Sequence, residues 1–262
     1  MSMRFAAALL LLAGVARAGD AQFWADALRQ AAPRCPSGTV IDVGANGGAE
    51  TELALETTGY AVLAVECLDR EATRLAARWA RQPRVRLVRG CASNTTRLLE
   101  LHLADDSSSL HENAVAASAL EVAKARREAA RTQSALSFPL DSILSSAQAP
   151  VCAVKIDTQG HELYVLHGLR NTLRQHRPVL TFEVDVRFGA HVREVLPWVQ
   201  RRGYVCRPAS CEVCNPICQD ERVKGWVETG EAPAANASAP PVGRRSGRGG
   251  GSPWSRLWRT IG

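Results

Sequence analysis

A chain of 262 residues has room for one well-packed α/β domain with some extras, and two full domains would be cramped. With 46% apolar and 22% charged residues it reads as globular, which excludes the disordered and fibrous classes. The net charge of +6 sits largely in a tail, where Arg244, Arg245, Arg248, Arg256 and Arg259 follow Val242 with no Asp or Glu; the body has no interleaved aromatic stacking motif, so nucleic-acid binding is not expected.

In chain order, Arg4, the apolar run Phe5 to Val15 and Ala16-Arg17-Ala18 read as a secretory signal over residues 1–18. Cleavage is expected after Ala18, and the alternative is an uncleaved N-terminal helix. The run is about half the ~20 residues of a spanning helix, and no other segment is apolar enough to form a stable membrane span. Residues 19–38 form a lead-in, with a helix over Gln22 to Ala32 ended by Pro33, Pro36 and Gly38.

An alternation of elements follows within a domain over residues 39–228. Strands are expected at Thr39–Val43, Ala61–Val65, Val85–Val88, Val151–Ile156 and Val179–Val184. Helices fall between them at Ala49–Thr58, Asp69–Arg81 and His161–Arg174. Continuous apolar strands between helices imply an α/β, doubly wound, mostly parallel sheet covered on both faces. Arg97–Leu103 reads as an added strand, and residues 112–133 as a helical insertion over Glu112 to Thr132, or equally a mobile one, since its apolar face is mostly alanine. A helix His191–Arg202, a strand Tyr204–Arg207 and a final edge strand Val223–Glu228 close the domain. Residues 229–262 are a disordered basic tail rich in Pro, Gly and Ala.

Secretion changes how the eight cysteines read. Cys206, Cys211, Cys214 and Cys218 crowd one segment, 206–218, and suit a disulfide knot in an oxidising compartment or structural zinc in a reducing one. Cys67, Cys91 and Cys152 lie near strands and read as buried small apolar residues. Sequons at Asn94-Thr95-Thr96 and Asn236-Ala237-Ser238 agree with passage through the lumen.

The first chemical signal is Val40-Ile41-Asp42-Val43-Gly44-Ala45-Asn46-Gly47-Gly48, a strand feeding a glycine-rich turn that opens a helix. The nicotinamide pattern Gly-x-Gly-x-x-Gly is poorly matched, because Gly44, Asn46 and Ala49 hold its places. Asp42 would offer nothing to a pyrophosphate, but it can pair with the amino group of a cationic ligand. Glu66 ends the second strand about 20 residues on, where an acid can accept both ribose hydroxyls. Gly90-Cys91-Ala92-Ser93 follows the third strand, where a backbone turn lies against a nucleobase.

The second signal is Lys155-Ile156-Asp157-Thr158-Gln159-Gly160-His161-Glu162. Its strand delivers Asp157 to the crevice at the sheet's carboxyl end. His161 suits a general base or helix-start packing, Glu162 suits a cap on helix N–H groups, and Lys155 an ion pair with Asp157.

With Leu140-Asp141-Ser142-Ile143-Leu144 and Val165-Leu166-x-Gly168, these motifs resemble the FkbM family of methyltransferases from about Thr39 to Val186. The resemblance implies a class I methyltransferase fold and methyl transfer from S-adenosylmethionine, often to an oxygen of a sugar or natural product. Together with the residue readings above, this places the expected cofactor contacts at Asp42, Gly44, Asn46, Gly48, Glu66, Cys91 and Ala92, and the expected catalytic base at Asp157 or His161. No metal is expected. The acceptor hydroxyl, on a glycan or small molecule, is expected between Asp157 and the Ser107 to Leu110 loop. Two departures stand out: Glu66-Cys67 replaces the family's usual Glu-Pro, and Thr158-Gln159 replaces Val/Ile-Glu. The alternatives are a nicotinamide- or nucleotide-sugar-dependent oxidoreductase and a secreted binding module without turnover.

Overall fold

The computed structural model describes residues 22–103, 108–109, 132–144, 149–223 and 225–226. The chain divides into two units, residues 1–227 and 228–262, and every described residue falls in the first. The signal segment, the Asn236 sequon, the tail and most of the insertion therefore lie outside the described residues.

Thirteen strands are described, and seven of them make the main sheet. Five run parallel: β1 (Thr39–Val43), β2 (Ala61–Glu66), β3 (Val85–Arg89), β8 (Val151–Ile156) and β9 (Val179–Phe182). The hairpin of β11 (Tyr204–Arg207) and β13 (Ile217–Asp220) completes it, with β13 antiparallel to both β11 and β9. The order is β11-β13-β9-β8-β1-β2-β3. The chain moves outward through β2 and β3, then crosses β1 to begin again at β8. The carboxyl ends of β1 and β8 therefore flank the point where strand order reverses, and ligands of open α/β sheets bind in that crevice.

Alternation along each strand explains burial on both faces. Ile41, Val43, Leu63, Val65, Val154, Ile156, Leu180 and Phe182 point to one face. There they meet α4 (Glu162–Gly168), α5 (Arg170–His176) and α6 (Val195–Gln200). Val40, Val62, Ala153 and Val179 point to the other and meet Trp24, Ala27, Leu28 and Ala31 of α1, a helix over residues 22–31. The same face carries α2 (Ala49–Thr57) and α3 (Asp69–Arg78), whose Leu75 packs with Ala45, Ala64 and Trp79.

A second sheet has the order β4-β7-β5-β6, from β4 (Cys91–Ala92), β5 (Arg97–Leu103), β6 (Ser108–Ser109) and β7 (Thr132–Phe138). The remaining pair is β10 (Val184–Asp185) with β12 (Val213–Cys214).

The structure corrects several expectations. The last strand is Ile217–Asp220, not Val223–Glu228, and it is internal: residues 217–220 lie between β9 and β11 and are buried throughout, which leaves β11 at the edge. Thr132 and Gln133 belong to β7, so the insertion ends sooner than its composition suggests. The helix expected over His161–Arg174 breaks at Leu169. Asp141 accepts hydrogen bonds there from the Asn171 and Thr172 N–H groups (2.7 and 3.0 Å) and starts α5 afresh.

The cysteines are also corrected. Cys67, Cys91 and Cys152 are not merely small buried residues: Cys67 is bridged to Cys91 and Cys152 to Cys35. Cys206–Cys218 and Cys211–Cys214 form the other two disulfides, which uses the thiols a zinc site would need.

Candidate active site

The turn after β1 is built from the inside out. Asp42 is wholly buried and lies beside Lys155 in the β1–β8 register. Its Oδ2 accepts from the Thr51 hydroxyl (2.7 Å), while Oδ1 has no hydrogen-bond partner and lies 3.9 Å from Lys155 Nζ. Above it, the Gly44 and Ala45 N–H groups donate to Val65 C=O (3.0 and 3.1 Å). Gly44 has φ 79°, and a Cβ there would lie 1.9 Å from the Asp157 carbonyl oxygen. Only glycine allows the two loops to approach this closely. Asn46 has φ 43°, and Gly48 heads α2 against Trp79 and Leu75.

Glu66 organises the same turn from the β2 tip. Its Oε2 accepts from Asn46 N–H and its Oε1 from Leu68 N–H, both at 2.7 Å. Burial pushes its pKa up, and these N–H donors oppose the shift. A carboxylate has about four acceptor positions, so two bonds leave capacity for two ribose hydroxyls. The residues thus fit the nucleoside end of S-adenosylmethionine. Cys91 and Ala92 follow on β4, joined to this corner by the 2.9 Å bond from Gly90 N–H to Glu66 C=O.

Lys155 forms the ion pair with Asp157 that their spacing suggests, and two further acids gather around it. Its buried ammonium lies 3.3 Å from Asp157, 3.8 Å from Glu50 and 3.9 Å from Asp42. Burial alone would lower its pKa, but Asp157, Asp42 and Glu50 outweigh that and hold it above the ordinary lysine value. The Asp42 carboxyl is pushed up to about 6 by burial, which the nearby ammonium only partly offsets. The side chains grade from 0% exposed at Asp42 to 17% at Glu50 and 32% at Asp157. Asp157 is therefore the member of the cluster that faces the crevice.

The loop after β8 is stiff. Glu162 Oε1 accepts from Thr158 N–H, the Thr158 hydroxyl and Gly160 N–H at 3.0–3.1 Å, so it ties down the turn before the helix it is expected to cap. His191 Nε2–H donates to Gly160 C=O (2.7 Å) from the other side. Gln159, at φ 55°, donates its amide to Glu183 Oε2 (3.2 Å) and lies 3.5 Å from Asp157 Oδ1. Glu183 is a second acid at the neighbouring strand tip that sequence reasoning missed; its place just after an apolar strand was the available signal.

His161 is enclosed, at 2% exposed. Its Nε2 lies 3.0 Å from Ser93 Oγ and its ring stacks on Tyr164 at 4.5 Å. Gly168 lets α4 approach this contact, since a Cβ there would lie 2.0 Å from Ser93 C=O. Burial, with smaller contributions from Arg97 and His191, lowers the His161 pKa to about 4. A depressed histidine contributes stability that is full above its unfolded pKa near 6.5 and lost as pH falls towards 4. Asp42, raised to about 6, runs the opposite way in the same window and loses its contribution as pH rises from about 4 to 6. Thermal melts of wild type and His161→Gln should therefore show a smaller acid loss in the variant between pH 6.5 and 4. Parallel curves would show that His161 is protonated as readily in the fold as outside it.

Asp42, Gly44, Asn46, Gly48 and Glu66 thus converge on one turn, with Asp157 against it and Cys91 and Ala92 along the next loop. His161 sits behind that loop. Ser107 and Leu110 fall outside the described residues. Among the described residues no helix is long and apolar enough to cross a membrane, and no group of three or more His, Cys, Asp or Glu is placed to hold a metal.

Strand order and the antiparallel β13 are those of a class I, Rossmann-like methyltransferase fold. The model of the methyltransferase FkbM domain matches residues 42–206, and the chain belongs to the FkbM methyltransferase family. Similar solved structures include methyltransferase FkbM from Methylobacillus flagellatus KT, at 14% identity and TM-score 0.46, with 70% of this chain and 43% of that one covered. This chain thus spans less than half of that protein. Precorrin-6y C5,15-methyltransferase from Geobacter metallireducens GS-15 is 12% identical, with TM-score 0.39 and 74% and 84% covered. Cofactor-bound Rv0187 from MTB is 16% identical, with TM-score 0.44 and 80% and 89% covered. No curated protein matches the chain.

Proposed function

We propose that this protein transfers a methyl group from S-adenosylmethionine to a hydroxyl of a sugar or small molecule in the secretory pathway. The observation that carries the reading is the paired arrangement of Glu66 over the glycine turn and Asp157 at the strand-order reversal. When bound, the sulfonium supplies an electrophilic methyl group.

The chain's own residues do the rest. Glu66 accepts the ribose hydroxyls while keeping the Asn46 turn in shape. Asp42 acts from beneath: its full burial fits support of the turn and of Lys155, not direct contact with a ligand's amino group. Asp157 receives the acceptor's hydroxyl proton, Lys155 holds that carboxylate in place, and Gln159 with Glu183 borders the acceptor side. His161, shut away with Ser93, positions the loops on either side of it. Aligning the acceptor oxygen with the methyl carbon supplies much of the acceleration. Four disulfides are compatible with an oxidising compartment.

Isothermal titration tests the donor half of this reading. Glu66→Gln should weaken binding of S-adenosylmethionine by about 10- to 100-fold, the usual range for hydrogen bonds to a charged group. Equal affinity in wild type and variant would reject the assignment. A labelled-methyl assay over glycan and small-molecule acceptors tests the other half. Donor binding without transfer to any acceptor would leave the binding-module reading in its place.

A further inference from the structure

The Glu66 corner belongs to two sheets. Through Glu66 and Arg89, β2 and β3 are paired in the main sheet. Beyond that register the two segments leave it, and Cys91 and Ala92 pair instead with Ser137 and Phe138 of β7 in the second sheet. No ladder continues from residues 67–68 to residues 91–92. What joins them is the Cys67–Cys91 disulfide, with the two Cα atoms 4.6 Å apart. It lies one residue past Glu66 and one residue past Gly90.

The surrounding bonds tie this bridge to the carboxylate. Leu68 N–H, the next donor after Cys67, holds Glu66 Oε1. Gln133 of β7 donates to Cys67 C=O (2.9 Å) and accepts from Asp69 N–H (3.0 Å). Cys91 is buried with Leu99, Leu101 and Ala135, and Cys67 and Leu68 pack onto that cluster. Cys67 has no ring to fix its φ, so the bridge adds a covalent restraint to the hydrogen bonds that hold this segment.

We propose that the Cys67–Cys91 bridge is a positioning element of the donor site, setting the distance between the Glu66 carboxylate and the Gly90–Ser93 turn so that tight donor binding requires the closed disulfide. This rests on the donor reading above. A closed bridge orders the two walls before the ligand arrives, and an open one leaves that ordering to be done on binding. Methyl transfer then becomes conditional on an oxidising environment through the donor site itself, beyond any effect on folding.

The test uses the full chain and S-adenosylmethionine as the titrant. Cys67→Ser/Cys91→Ser should bind about 10-fold more weakly than wild type, the scale of one or two ordered groups at a binding site. Cys67→Val/Cys91→Ala, which keeps the apolar packing, should show the same loss and serves if the serine variant does not fold. Cys206→Ser/Cys218→Ser removes a bridge at the β11–β13 edge. It should lower the melting temperature yet leave donor affinity unchanged, separating positioning from general stability. Wild-type binding with equal affinity in the Val/Ala variant would overturn the clamp alone. Absence of wild-type binding would overturn the donor reading and the clamp together.

Discussion

Replacing Asp157 with Asn should lower kcat by about 10²–10⁴-fold, the span a positioned general base contributes, while donor affinity stays within about twofold. The split follows from where the residue sits. Asp157 is the most exposed of the three acids around Lys155, and it stands at the crevice rather than under the turn. Its N–H is committed to Val43 C=O (3.0 Å), so the backbone of the loop stays in register when the side chain changes. Asn preserves shape and the hydrogen bond to Lys155 through its carbonyl oxygen, but it cannot accept the proton. Single-turnover methyl transfer and titration calorimetry on the same preparation read the two quantities separately. A variant with near wild-type kcat would remove Asp157 from the chemistry and return attention to Glu183, its neighbour across Gln159.

Lys155→Met should be the most damaging single change to stability, costing about 3–5 kcal/mol, because removing one partner leaves buried charge without compensation. The loss concerns Asp42 first: it has no exposed surface through which water can solvate it, and its Oδ1 has no hydrogen-bond partner. Denaturant unfolding at several pH values would read the effect. Asp42 is already raised to about 6 by burial, and without the ammonium it rises further. A carboxyl raised in the fold contributes stability that is present at low pH and lost as pH climbs through its folded value. The variant should therefore be least stable above pH 7 and recover part of its deficit near pH 5. A deficit that grows on acidification would mean the cluster is not held by this charge pairing.

Much of the fold could be read from the chain because its parallel strands are apolar on both faces and separated by helices. Thr39–Val43, Ala61–Glu66 and Val151–Ile156 carry no competing signal. The hairpin partner Ile217–Asp220 was hidden because Cys218, Gln219 and Asp220 look like loop. They are buried because the strand pairs on both sides, Cys218 is bridged to Cys206 and Asp220 pairs with Arg177, all contacts between separated parts of the chain. Likewise β7 vanished into the polar segment before it, since Ser137 earns its buried place through bonds to Thr95 and Arg97 carbonyls formed only on pairing.

The candidate site divides in the same way. Motif spacing exposes Asp42, Glu66 and Asp157, but it cannot show which acid is buried. The Lys155–Asp157 pair is local, but the rest of the Lys155 cluster needs α2 and β1 beside β8, so its two other acids are not announced by the sequence around it. Nor can spacing pair Cys67 with Cys91, because two strands must first lie side by side.

The Cys35–Cys152 bridge joins the end of the lead-in to β8 across 117 positions, with β1, β2, β3, β5 and β7 all inside the loop it closes. A protease that cuts once between Cys91 and Cys152, outside the segment that the Cys67–Cys91 bridge also spans, yields two fragments that migrate as one band without reductant only if Cys35–Cys152 is closed. The same sample separates into two bands once thiol is added. A gel of nicked material run both ways thus reports whether this loop is closed, with no ligand required.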